Sequence, residues 1–194
     1  MDKHNIYLIG VGGQGIGLLS EVLIRSADHA GMKVKSVDTH GLAQRGGIVV
    51  SQLRLGEGSH SPLIPKGKAD YVFAMERHEA LRGINDALKD DGTLLYYNTV
   101  WQPLPVRLKK TKGVSEAQIT KVCRVRNIKE IVVSKPDLED VRMQNIVMLA
   151  AVYKNDLLPL ITDKHCLKAM EDLMSGEILK KNVRLFSEEI KTRF

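Results

Sequence analysis

Apolar positions along this chain fall in short runs between polar, glycine-containing turns, and their period switches repeatedly between strand and helix. Ile6–Ile9 is an unbroken apolar run, the pattern of a strand buried on both faces. Beyond it, Ile16, Leu19, Leu23, Ile24 and Ala27 recur at helical spacing within Gly15–Ala30, and Gly31 supplies the stop. Lys33–Val37 predicts a second strand closing at Asp38. Ile48–Leu55 predicts a third, longer and partly alternating, as a strand near a sheet edge would be. Tyr71–Met75 and Thr93–Asn98 read as strands, with a helix over Glu76–Leu88 and a turn at Asp91-Gly92 between them. A helix over Ser115–Cys123 with Ser115 as N-cap precedes a strand at Ile128–Val133. Three further helices are expected at Val141–Tyr153, Asp163–Met174 and Gly176–Ile190. Gly56–Lys68 has the composition of a loop, and Thr99–Gly113, interrupted by Pro103 and Pro105, receives no element.

Alternating strands and helices predict an α/β fold: a Rossmann-like, mostly parallel sheet with helices on both faces and a helical C-terminal third. The length of 194 residues suits one sizeable core, so residues 1–194 are expected to form a single domain, with a helical extension from about residue 155.

Composition narrows the function classes. No apolar run approaches the roughly 20 residues of a membrane span, and the N-terminus lacks the layout of a signal peptide, so a cytoplasmic protein is expected. Cys123 and Cys166 lie far apart without metal-ligand spacing, and the six histidines are scattered, so no metal site is assigned. The net charge of +6 is concentrated: Trp101–Lys135 holds nine Lys/Arg against Glu116 and Glu130. Such a segment is either a solvated face or a docking patch for an acidic partner. No nucleic-acid-binding motif accompanies the charge, so nucleic acid is not an expected partner, and neither is a membrane.

Two glycine-rich loops carry the candidate chemistry. Gly10, Gly12 and Gly15 satisfy G-x-G-x-x-G between a strand and a helix, with Gly13 and Gln14 inside the loop. Glycines allow close backbone approach, and the N–H groups at a helix start favour an anion. The second loop, Thr39–Gly47, brings His40, Gly41, Gln44, Arg45, Gly46 and Gly47 together; arginine is a rigid fork suited to phosphate or carboxylate. At the carboxyl edge of a parallel sheet the two loops would stand side by side and could line one anion-binding crevice. The alternatives are a first loop that is a tight turn binding nothing, and a second that is an ordered loop against a neighbouring subunit. Asp38 lies where a nicotinamide-binding domain carries its ribose carboxylate, so an NAD(P)-binding oxidoreductase is one rival function, and a nucleotide- or acyl-CoA-sensing module is another. His40 has no serine or cysteine nucleophile beside it, and no catalytic residue is assigned.

Gly10-Val11-Gly12-Gly13-Gln14-Gly15, then Thr39-His40-Gly41-Leu42-Ala43-Gln44-Arg45-Gly46-Gly47, then Ser51 and Arg54 resemble the gamma subunit family of 2-oxoacid:ferredoxin oxidoreductases, nearest its indolepyruvate type. The likeness continues through Ser61-Pro62, Ala69-Asp70, Glu76 and the helix beginning near Asn145, and fades beyond about residue 155. Ala150 departs from the pattern, in which a glycine follows the leucine. The resemblance implies an accessory subunit that is inactive alone. Its enzyme decarboxylates a 2-oxoacid to an acyl-CoA and passes electrons to ferredoxin. Thiamine diphosphate, magnesium and iron–sulfur clusters are then expected on a partner subunit in a hetero-oligomer, with a dimer as the alternative state of the chain in isolation. This chain's implied part is a contact with coenzyme A or the oxoacid through Gly10, Gly12, Gly13, Gln14, Gly15, Gly41, Gln44, Arg45, Gly46 and Gly47.

Overall fold

A computed structural model describes residues 3–40, 47–58, 60–101 and 113–192. Its elements run β1 (His4–Val11), α1 (Ile16–His29), β2 (Val34–His40), β3 (Ile48–Leu55), β4 (Ala69–Ala74), α2 (Arg77–Asp86) and β5 (Leu88–Tyr97). After these come α3 (Glu116–Val125), β6 (Lys129–Val133), a 3-10 turn (Val141–Met143), α4 (Gln144–Lys154), α5 (Asp163–Leu173) and α6 (Gly176–Lys191).

The six strands form one sheet in the order β2-β3-β1-β4-β5-β6. β1, β4, β5 and β6 pair in parallel, whereas β3 runs antiparallel to both β1 and β2. Five strands therefore point one way and β3 alone points back, so the sheet is mostly parallel as the sequence pattern predicts. As its alternation suggests, β3 lies near an edge of the sheet, one place in from the edge strand β2. β3 is paired on both sides; Val49, Ser51, Leu53 and Leu55 are buried while Val50, Gln52 and Arg54 are half-exposed.

The sheet separates two apolar layers. α1, α4, α5 and α6 cover one face, where Leu23, Phe73, Met148, Met170 and Phe186 pack together. α2 and α3 cover the other, around Ile9, Val72, Ile84, Tyr96 and Ile119. The helical C-terminal third thus lies on the sheet beside α1. The helix ends follow local chemistry. Gly31, at φ +72°, closes α1, its N–H donating to the Asp28 carbonyl at 2.8 Å. Ser115 and Gln118 form a reciprocal capping box on α3. The Asp91-Gly92 turn differs from expectation: the chain enters the sheet at Leu88, and the turn is a bulge inside β5, with Asp91 at φ +58°.

Candidate functional site

In an open α/β sheet the crevice forms where neighbouring strands send their helices to opposite faces. Here those strands are β1 and β4, since α1 follows β1 onto one face and α2 follows β4 onto the other. The first glycine loop lies at that point. The chain also starts β3 there, because β2 runs parallel to β1 and β3 returns from the same edge.

The two loops touch. The Gly12 N–H donates to the Gly47 carbonyl at 2.8 Å, joining the loop after β1 to the residue just before β3. Gly41, Gln44, Arg45 and Gly46 lie outside the described residues, as does the side chain of His40. Gly47 is half-buried against the first loop.

Each glycine of the first loop has its own reason. A Cβ on Gly10 would lie 2.5 Å from Ile16 Cδ1 and 2.9 Å from Met75 Cβ, so the start of α1 and the end of β4 close only over hydrogen. Gly15 adopts φ +79°, and a Cβ there would lie 2.6 Å from Asn145 Nδ2, at the start of α4. Gly13, at φ +103°, and Gly17, in the first turn of α1, face solvent, and a Cβ on either would meet nothing within 4 Å. The open part of the loop is therefore bare backbone at Gly13 and Gly17, around a helix start whose N-cap supplies no side-chain hydrogen bond.

Gln14 points inward. Its Oε1 accepts from the Val11 N–H at 2.8 Å and its Nε2 donates to the Met75 carbonyl at 3.2 Å, with the residue 1% exposed. The side chain expected to offer a polar contact to a ligand instead ties β1 to β4. The polar groups this loop leaves open are those of its backbone.

Beyond Met75, Glu76 is fully buried and caps α2 with its own carboxylate. Oε1 accepts from the Glu79 N–H at 2.7 Å, and Oε2 lies 2.9 Å from His78 Nδ1. His78 Nε2 accepts from the Val114 N–H at 3.2 Å, so Nδ1 carries the proton and donates to Glu76. On the same turn Arg77 donates to Asn98 Oδ1 at 2.5 Å and to Glu116 Oε1 at 2.9 Å. One turn of α2 thus fixes the end of β5 and the entry to α3. Burial raises the Glu79 carboxyl above its ordinary range, opposed by Arg82 at 2.9 Å. Sequence patterning missed this cluster because glutamate is not a favoured N-cap.

Other singled-out residues are structural. Arg54 donates to Asn5 Oδ1 and to the carbonyls of Ser61 and Leu63, and Asp70 accepts from Asn5 and Lys89. Together they clasp the loop before β4 at the opposite edge of the sheet. Asp38 lies on the outermost strand, exposed, paired with Ser51, which in turn pairs with Leu8. Two strand spacings of about 4.8 Å each separate its backbone from β1. The inserted antiparallel β3 therefore removes Asp38 from the place of a ribose-binding carboxylate beside the first loop.

Burial pushes the Cys123 thiol up to about 12 and the Cys166 thiol up to about 11. They occupy opposite layers of the sheet, so they cannot jointly ligate an iron–sulfur cluster. Among the described residues no three His, Cys, Asp or Glu side chains cluster as a metal site, and no helix is long and apolar enough to cross a membrane.

The sequence and the fold have known counterparts. The chain belongs to the pyruvate ferredoxin/flavodoxin oxidoreductase family, which it matches over residues 5–190. It is 31% identical over 193 residues to indolepyruvate oxidoreductase subunit IorB of Methanothermobacter thermautotrophicus, covering 96% of this chain and 95% of that protein. It is 41% identical over 105 residues to the IorB subunit of Thermococcus kodakarensis; that match spans 54% of this chain and only half, 50%, of its relative. Among solved structures, the gamma subunit of a keto/oxoacid ferredoxin oxidoreductase from Geobacter sulfurreducens superimposes with a TM-score of 0.66 at 19% identity, covering 97% and 96% of the two chains.

Proposed function

We propose that this chain is the accessory subunit of a 2-oxoacid:ferredoxin oxidoreductase of the indolepyruvate type. The complex converts a 2-oxoacid to an acyl-CoA and passes the electrons to ferredoxin. The observation that carries the reading is the Gly12–Gly47 hydrogen bond, which joins the first glycine loop to the last residue of the second at the switch point of the sheet.

Thiamine diphosphate, magnesium and the clusters belong on the partner subunit. The residues of this chain do not fit an iron–sulfur cluster, since its two cysteines lie in opposite layers. Its own work is binding and orientation. The N–H groups at the start of α1 present partial positive charge to an anionic group of coenzyme A or to the oxoacid carboxylate. Gly13 and Gly17 allow the approach, and Arg45 adds a charged fork from the second loop. Gln14 and the Glu76–His78 pair hold the strand ends against which these groups are placed.

Anoxic affinity purification of the chain from its native cells tests this directly. A larger partner bearing thiamine diphosphate and iron–sulfur absorption is expected to co-purify, and its oxoacid preference names the substrate. A lone colourless chain under gentle conditions would overturn the reading. In the assembled enzyme, Arg45→Ala is expected to raise the KM for coenzyme A or the oxoacid by about tenfold, the loss of one charge-assisted hydrogen bond of roughly 1.5 kcal/mol. Unchanged kinetics in an intact complex would remove Arg45 from the site.

A further inference from the structure

The basic segment has a place in the fold that the carboxyl-edge site does not use. Its described part includes α3, on the layer opposite the C-terminal helices, and then β6 and Lys135, which pairs with Glu189 of α6 at 3.1 Å. α3 buries Ile119 and Cys123 and leaves Val122 half-buried, while Val125 is 80% exposed. Between α2 and α3, Leu81, Val122 and Val125, with the side chains of Gln118, Lys121 and Arg126, line an open groove of about 390 Å³ whose exposed floor is mostly apolar. Lys121 on its rim and Arg124 on the same helix are exposed and make no ion pair among the described residues. Arg126 contrasts with them: it is tied to Asp90 at 2.6 Å and to the carbonyls of Ile84 and Leu88. One cation therefore fastens the turn, and two are turned to solvent beside the groove.

We infer that this groove docks the acidic electron-carrier protein of the complex, ferredoxin under the function proposed above, on which this inference rests. Three observations select that occupant. An apolar centre edged by exposed cations fits a surface with an apolar anchor among carboxylates. A second copy of this chain docked by a two-fold would bring Lys121 and Arg124 against cations of like sign. A permanent subunit interface is larger, more apolar and poor in lysine, whereas a small apolar centre with a charged rim suits a partner that must arrive and leave quickly.

The test uses the assembled, cluster-loaded complex under anoxic conditions, with ferredoxin and, separately, a viologen dye as acceptor. In the wild type, the KM for ferredoxin is expected to rise with salt, and the viologen rate to stay level. Lys121→Glu with Arg124→Glu should raise the ferredoxin KM by about tenfold or more, with kcat and the viologen rate unchanged. Val125→Asp, at a site too exposed to disturb folding, should raise it by a smaller factor. A ferredoxin KM indifferent to both variants in a viologen-active complex overturns the docking site and leaves the subunit reading standing. Loss of the partner subunit on native mass measurement also overturns it, since the groove would then be a subunit interface. A wild-type complex that reduces neither acceptor overturns the subunit reading and this inference with it.

Discussion

The glycines of the stretch Gly10–Gly17 answer to different demands, and substitution separates them. Gly17 sits in the first turn of α1 with open space where a side chain would point. Alanine there should stabilise the isolated chain by about 0.5–1 kcal/mol, the helix-propensity difference. Gly15 combines φ +79° with a Cβ position 2.6 Å from Asn145, so alanine there should destabilise by about 1–3 kcal/mol. Urea unfolding of both variants checks the signs; stabilisation by Gly15→Ala would mean that α4 does not press on the loop. If Gly17→Ala is more stable alone but impairs the assembled enzyme, the bare backbone is a contact surface. The motif itself was legible in the sequence, as was its place between strand and helix. Which glycines serve internal packing was not, because Asn145 and Met75 approach from segments distant in sequence. Gln14 misled for the same reason: a polar side chain in a glycine loop reads as ligand-facing until the Met75 carbonyl above it is known. Gln14→Ala should cost about 2–4 kcal/mol, since it strands one buried N–H and one buried carbonyl. A loss below about 1 kcal/mol in the same unfolding experiment would show water replacing the amide.

At the scale of elements, α2 is the joint on which the carboxyl edge depends. Glu76 caps it, His78 reaches Val114, and Arg77 reaches Asn98 and Glu116. Glu79, buried one turn in, has its carboxyl raised from the ordinary 4.5 by burial first, with Arg82 opposing. A carboxyl raised on folding binds its proton more tightly in the folded state. Its contribution is therefore full below pH 4.5 and declines as pH rises through the folded value. Glu79→Gln, which cannot ionise, should gain on the wild type as pH is raised from about 4 to about 7.5, measured as the difference in urea midpoints. A difference that is flat or runs the other way would mean that Arg82 outweighs burial. Local signals marked several boundaries here, among them the Ser115 cap and the Gly31 stop. The Asp91-Gly92 turn was also visible, but as a separator. That it bulges a strand already in the sheet depends on Leu88 pairing beside Ala69, a register no local pattern carries.

For the molecule as a whole, strand alternation disclosed an α/β sheet but could not disclose that β3 runs backwards. An alternating strand looks the same in either direction, and the reversal is what moved Asp38 two strands from the first loop. The reversal also brings Gly47, just before β3, within a hydrogen bond of Gly12, and the same topological fact weakens the nicotinamide alternative. The sheet divides the core into two layers, each holding one buried thiol: Cys123 with α2 and α3, Cys166 with the C-terminal helices. Both thiols are raised far above neutral pH by burial, so at about pH 8 each is protonated and shielded from reagents. They react only when their own layer opens. If residues 1–194 are a single cooperative domain, an alkylating reagent in mild denaturant should label both with the same opening free energy and the same denaturant dependence. Peptide mapping of the labelled chain reads the two sites separately. Earlier labelling of Cys166 would mean that the C-terminal helices lift from the sheet as a unit, leaving the strands and the first glycine loop folded. Equal labelling would tie the far helices to the site at the carboxyl edge, since Asn145, at the head of α4, already presses on Gly15 at the head of α1.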